Sequence, residues 1–291
     1  MTTTEEHGAV QSELLIRNIS DTARWVAVYR ARETERADAV FRDPFARQLA
    51  GERGEQIARS KPLGGDVSWP MVARTYAVDE MIYRQIEEGT DAVINLAAGL
   101  DARPYRMRLP ASLLWTEVDL PEILSYKEEI LRDEKPVCRL ERIHLDLANT
   151  SARGELFEQL SRPAKKVLII TEGLVTYLGR EEVAALARDL AAPASFRSWI
   201  LDMPSPALLR RVQQRMGSNL KTIAPFKFAP EEGTNFFVPY GWIPKDVRSV
   251  LKTAAQIKRL PLFLLPFSWL PDKESSRSSR PWSGVCLFTK R

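Results

Sequence analysis

A small-residue loop and a single acid further along are the features of this chain that point most directly to chemistry. The stretch Ala92-Val-Ile-Asn-Leu-Ala-Ala-Gly-Leu-Asp-Ala-Arg-Pro-Tyr-Arg106 opens with an apolar run and then passes through Ala97, Ala98 and Gly99. This pattern predicts a buried strand whose carboxyl end turns, at a residue without a side chain, onto a helix or tight turn. Ligands of open α/β sheets bind in the crevice outside such strand ends. Asp119 stands 20 positions beyond Gly99, closing a second apolar segment that starts at Leu113. A carboxylate at that place accepts hydrogen bonds from both hydroxyls of a ribose. Gly99 and Asp119 together describe a nucleoside-containing ligand, although a plain core strand ending in a turn accounts for the loop on its own equally well.

The glycines narrow the choice of nucleoside. A dinucleotide site uses G-x-G-x-x-G to seat a pyrophosphate on a helix N-terminus. Here the three places hold Ala97, Gly99 and Ala102, and no G-K-[ST] phosphate loop occurs anywhere. S-adenosylmethionine, which has no phosphate, suits this loop better than NAD does. The missing glycines count against an NAD-dependent reductase.

The segment Asn95 to Arg106 resembles the N-L-G-A-G-L-D-T-R-x-Y-R signature of the leucine carboxyl methyltransferase family. Ala97 and Ala102 stand where that pattern has Gly and Thr or Ser. Other blocks similar to the family follow its order: Phe41 to Ala46, Ala73 to Asp79, Glu117 to Pro121 with Lys127, Asp146-Leu147, and Thr171 to Leu178. They span roughly residues 40–180, and the likeness fades after residue 200. The resemblance implies a class I, Rossmann-like fold: a seven-stranded, mostly parallel sheet with helices on both faces. It also implies S-adenosyl-L-methionine as cofactor and assigns roles to residues. Arg74 contacts the cofactor's carboxylate, a task suited to a guanidinium fork. Asp146 accepts from the adenine amine while the Leu147 backbone contributes beside it, and Glu172 lies next to the methionine part. Glu172 also ends the apolar run Val167 to Ile170, a costly place for a carboxylate without partners.

Methyl transfer from a sulfonium is an in-line displacement, so the protein mainly aligns the reacting atoms. A carboxylate acceptor, with a pKa of about 4, is ionised at neutral pH without help. A phenol usually needs a base, most often histidine. The chain has two histidines, His7 in a polar terminus and His144 in a predicted strand. Their scarcity favours an O-methyltransferase acting on a carboxylate of a small metabolite, an aromatic polyketide being one class. A phenolic acceptor with an Asp, Glu or Tyr base is the close rival. Methylation of a protein C-terminal carboxyl and non-catalytic binding of the cofactor are further alternatives. No catalytic residue is assigned. Tyr177 is a candidate wall of the pocket, and a core tyrosine fits its position equally well. Arg24 and Arg30 read better as a charged helix face than as anion ligands.

These residues need elements to hold them. Apolar residues at mixed three and four spacings predict helices over Leu14 to Arg36, Asp43 to Arg53 and Met71 to Glu88, the last stopped by Gly89. Strands are predicted at 92–97, 113–118, 140–145, 167–171, 198–202, 257–264 and 283–289. Between them come helices over Leu120 to Asp133, Arg153 to Leu160 and Arg180 to Ala191. Such alternation gives a parallel sheet covered on both faces, and the last two strands are expected as an antiparallel pair at one edge. The expected organisation is an N-terminal helical cap over 1–90 and a core over 91–291. The Pro- and aromatic-rich stretch 204–246 is expected as an inserted lid over the substrate pocket.

Of 291 residues, 44% are apolar and 27% charged, an ordinary soluble composition. The net charge of +4 is spread among nearly as many acids, which describes a solvated surface and no nucleic-acid footprint. The longest apolar stretch, Leu260 to Leu270, is too short to span a bilayer and is broken by Pro261 and Pro266. Cys138 and Cys286 have no metal spacing, and no metal site is predicted. Reduced thiols and the polar, acidic N-terminus point to a cytoplasmic protein. A small-molecule acceptor is the expected partner, and the oligomeric state has no signature in the sequence.

Overall fold

The computed structural model describes residues 16, 18, 20–60, 62–63, 67–216, 218–271 and 280–291. Expectations placed on His7 and on a helix start at Leu14 lie outside the described residues. A single sheet organises the rest. Its strands are β1 (Ala92–Leu96), β2 (Leu114–Asp119), β3 (Arg139–His144), β4 (Val167–Thr171), β5 (Phe196–Pro204), β6 (Trp242–Ser249) and β7 (Ser283–Lys290). They lie in the order β3-β2-β1-β4-β5-β7-β6, with β7 antiparallel to both neighbours and the first five strands parallel. The central strands β1 and β4 are buried along their whole length. Their sequences, Ala-Val-Ile-Asn-Leu and Val-Leu-Ile-Ile-Thr, are accordingly continuous apolar runs, as a sheet covered on both faces requires.

Helix α1 (Ser20–Thr34) and helix α2 (Ala46–Ser60), the latter broken at Gly51 with φ 59°, form the N-terminal layer with α3 (Ser68–Glu87). Gly89, at φ 92°, follows the end of α3, as its sequence position predicts. One face of the sheet packs on α3. The other packs on the amphipathic helix α4 (Arg180–Ala191), whose Val183, Leu186, Ala187 and Leu190 form a single buried stripe. A third apolar cluster ties Trp25 and Val28 of α1 to Leu100, Ala102 and Ile123 at the carboxyl ends of β1 and β2. The helical cap is thereby packed directly over the predicted crevice.

Two expectations are corrected by this architecture. The sixth strand is not 257–264 but Trp242–Ser249, and it is separated from β7 by a helix over Val250–Gln256. Residues 257–264 cannot extend: Lys258 sits at φ 59° and Pro261 lacks a donor, so the stretch turns and ends in a 3-10 helix at Leu262–Leu264. The antiparallel edge pair therefore exists with a different partner. The second correction concerns the lid. Its last residues, 242–246, belong to β6, and its aromatics Phe228, Phe236, Phe237 and Trp242 are core residues. Trp199 on β5 sits 5.2 Å from Phe237 and 5.4 Å from Trp242, ring centre to ring centre, in edge-on contact. Of this stretch, Met216, Leu220, Ala224 and the half-buried Phe226 pack with α1 beside the strand ends.

Candidate active site

The parallel strands deliver Gly99, Asp119, Asp146 and Glu172 to one end of the sheet, because each lies at or just beyond the carboxyl end of its strand. After β1 the chain turns through Ala97 (φ 54°) and Gly99 (φ 48°), both in the left-handed region. Residue 97 keeps this conformation although it is alanine, at about 1–2 kcal/mol of local strain. Asp119 closes the turn. Its Oδ2 accepts the Gly99 N–H at 2.6 Å and its Oδ1 accepts the Leu120 N–H at 2.7 Å. Each carboxylate oxygen retains a lone pair for a further donor. Burial raises the Asp119 pKa above its ordinary value, partly opposed by the two backbone N–H donors. Asp146, on the exit of β3, is exposed and accepts the Ala148 N–H at 2.9 Å. The N-cap of the next helix is Asn149. Leu147 is half-buried against the core, and its carbonyl accepts from Arg153 at 2.9 Å.

The other half of the site is a charge network. Arg74 of α3 lies between Glu172 (2.9 Å) and Asp202 (3.2 Å). Arg103 donates to Asp79 at 2.6 Å and to Asp101 at 2.7 Å, and lies 2.9 Å from Glu172. Arg106 grips both oxygens of Asp79. Arg30 holds Asp43 at 2.8 Å and the Leu100 carbonyl at 2.6 Å. Arg30 is therefore buried structure; the reading of it as a charged helix face is corrected. Arg24 stacks over the Tyr126 ring at 3.6 Å. Four guanidinium groups thus face five carboxylates, Asp43, Asp79, Asp101, Glu172 and Asp202, leaving one negative charge in excess. The Arg74 Nε is buried without a hydrogen-bond partner, since Glu172 lies off its N–H direction.

Tyr177 joins this group. Burial raises its pKa, against a hydrogen bond from Thr22 and the charge of Arg74, so it stands as a neutral phenol. Its ring meets Phe226 edge-on at 5.1 Å. Sequence reasoning gave Asp202, Arg103, Asp79 and Thr22 no role. Asp202 had a signal: it follows an apolar run, Trp199 to Leu201, in a predicted strand. Thr22 had none.

Burial disfavours the ionised forms of Glu172 and Asp101, but Arg103 with Arg74 in the first case, and Arg103 with Lys127 and Arg106 in the second, outweigh it and lower both pKa values. A lowered folded-state pKa stabilises the fold above the unfolded value, about 4.3 for Glu, and that contribution is lost as pH falls through the folded value. The Glu172→Gln variant should therefore melt below the wild type at neutral pH. The gap should narrow under acid, below about pH 4. A gap in melting temperature that stays constant from neutral to acid would refute this account of Glu172.

The strand order with an antiparallel seventh strand defines the class I methyltransferase fold. Solved structures agree: a DUF574 family protein from Streptomyces avermitilis matches 91% of this chain and 97% of its own at TM-score 0.56 and 14% identity. A protein of Thermobifida fusca assigned as a methyltransferase matches 84% of this chain and 92% of its own at TM-score 0.59 and 13% identity. The leucine carboxyl methyltransferase model matches residues 23–191. The chain belongs to the leucine carboxyl methyltransferase family and, with it, to the S-adenosylmethionine-dependent methyltransferases. Among relatives, a Mycobacteroides abscessus protein assigned as an S-adenosyl-L-methionine-dependent methyltransferase is 29% identical over 82% of this chain and 86% of its own length. One from Streptomyces avermitilis, assigned likewise, is 29% identical over 87% and 90%. No helix among the described residues is long and apolar enough to cross a membrane.

Proposed function

We propose that this enzyme transfers the methyl group of S-adenosylmethionine to a carboxylate oxygen of a small metabolite. The observation that carries the reading is the lack of an available base among the described residues of the site. His144 lies at the end of β3, 3.2 Å from Glu128. Tyr177 is a half-buried phenol whose pKa is raised. Asp202 is held by Arg74 and by the Gly173 N–H at 2.6 Å, and Glu172 lies between two guanidiniums. An acceptor that is already ionised needs none of them.

The residues fit the cofactor. Asp119 has lone pairs left for two ribose hydroxyls, and Gly99 brings backbone close to the site. The orphaned Arg74 Nε is a donor waiting for a carboxylate, and Glu172 is an acceptor for an ammonium. The single excess negative charge of the network matches the net positive charge of a sulfonium amino acid. When bound there, S-adenosylmethionine supplies an electrophilic methyl group. The chain's part is to fix the acceptor oxygen in line with it, a matter of orientation worth several kcal/mol of barrier. Tyr177 and Phe226 give the acceptor an apolar, aromatic wall beside Arg74, which suits an aromatic acid such as a polyketide.

The test uses cofactor labelled on the methyl group and a panel of aromatic acids and phenols. A methyl ester releases its label as volatile methanol in mild alkali, whereas an aryl methyl ether keeps it. Alkali-labile product is the expected result. Alkali-stable product would assign the phenolic reading, and tight cofactor binding with no product over the whole panel would favour a non-catalytic protein.

A further inference from the structure

The segment Pro261-Leu-Phe-Leu-Leu-Pro-Phe-Ser-Trp-Leu-Pro271 carries no charged residue. It folds as a 3-10 turn at Leu262–Leu264 and a one-turn helix at Leu265–Ser268. Leu264 and Leu265 pack onto the cluster between α3 and the sheet. The others turn outward: Leu262, Phe263, Phe267 and Trp269 are 82%, 76%, 56% and 80% exposed, and Leu270 is 38% exposed. Single exposed apolar residues are ordinary, but a contiguous patch this size on a monomer marks an interaction surface. Aromatic side chains contribute about 150–250 Å² each when buried, so the patch offers roughly 700 Å². A standard interface takes about 800 Å² from each partner.

We propose that this face joins two copies of the chain in a two-fold dimer, with Phe263 and Trp269 at its centre. The area is close to what one side of a stable interface needs, and a two-fold axis pairs the patch with itself. The flank argues for a second copy over a lipid surface. Arg259, just before the segment, is paired with Glu33 at 2.9 Å and Asp38 at 3.1 Å, and Arg36 is paired with Asp38. A rim carrying both signs can meet its own copy, whereas an anionic membrane selects an excess of cations.

Sedimentation of the full chain over a concentration series tests the proposal. The wild type should dimerise in the micromolar range or tighter. Phe263→Asp and Trp269→Asp should each weaken association by roughly 30-fold or more, the effect of losing a central anchor, with unchanged circular dichroism and cofactor affinity. Leu262→Ser, a milder change at the most exposed of the five, should act in the same direction even if a charged variant expresses poorly. A wild type that stays monomeric through the micromolar range overturns the dimer, as do variants that associate as tightly as the wild type. Flotation of a monomeric wild type with phosphatidylcholine–phosphatidylserine vesicles would overturn it in favour of a membrane surface.

Discussion

Replacing Arg103 by Met should cost this protein about 3–5 kcal/mol of stability, the usual consequence of removing one partner from a buried ion pair. Arg103 is almost fully buried and touches Asp79, Asp101 and Glu172 at 2.6–2.9 Å. Without it, three carboxylates lose a cation in direct contact. The excess charge of the network grows from one to two, in surroundings where charge is poorly screened. For a chain of this size the loss corresponds to a drop in melting temperature of roughly 6–15 °C. Arg103→Lys should recover little, because a single ammonium cannot reproduce a fork that serves three carboxylates. The effect should be strongly non-additive with Glu172→Gln, since the double variant removes a charge along with its partner. Cofactor binding should weaken in the single variant, as Glu172 is left held by Arg74 alone. A melting temperature within about 2 °C of the wild type would mean that the network contributes little and that Glu172 is positioned by other means.

How much of this was legible in the sequence follows from which forces are local. The Gly99 to Asp119 spacing was readable because a strand, a turn, a short helix and a second strand fix the chain length between two adjacent strand ends. The Gly99 N–H does meet the Asp119 carboxylate. The central strands were readable because burial on both faces demands unbroken apolar runs. β6 was not. Trp-Ile-Pro-Lys-Asp-Val-Arg-Ser contains a proline and three charges, and it survives as a strand because it lies at the sheet edge, with one neighbour and an irregularity between Pro244 and Asp246. Conversely, 257–264 looks apolar enough for a strand, but its Leu262 and Phe263 face outward. The aromatics of 226–242 have their partner only in the fold, where Trp199 awaits them on the sheet. The charge network was the least legible part. Arg103 and Asp79 are 24 residues apart and Arg74 and Asp202 are 128 apart, so no local spacing records their meeting.

Asp119→Ala should weaken binding of S-adenosylmethionine, and of its product S-adenosylhomocysteine, by at least about 100-fold. Each hydrogen bond to a charged group contributes about 1.5–3 kcal/mol, and two ribose hydroxyls lose their acceptor. The fold should survive. The loop loses the Gly99 and Leu120 N–H bonds, but a half-buried carboxylate whose ionisation desolvation opposes is removed at the same time. Because the folded pKa of Asp119 is raised, its charged form is lost at a higher pH than that of an ordinary aspartate. Wild-type affinity for the cofactor should accordingly fall on acidification before Asp101 and Glu172, whose pKa values are lowered, begin to protonate, and Asp119→Ala should lack this dependence. Asp119→Asn, which keeps one carbonyl acceptor, should fall between the two. Calorimetric titration across pH measures all three. Affinity of Asp119→Ala within threefold of wild type would place the ribose elsewhere and dissolve the link between the loop, the acid and the cofactor.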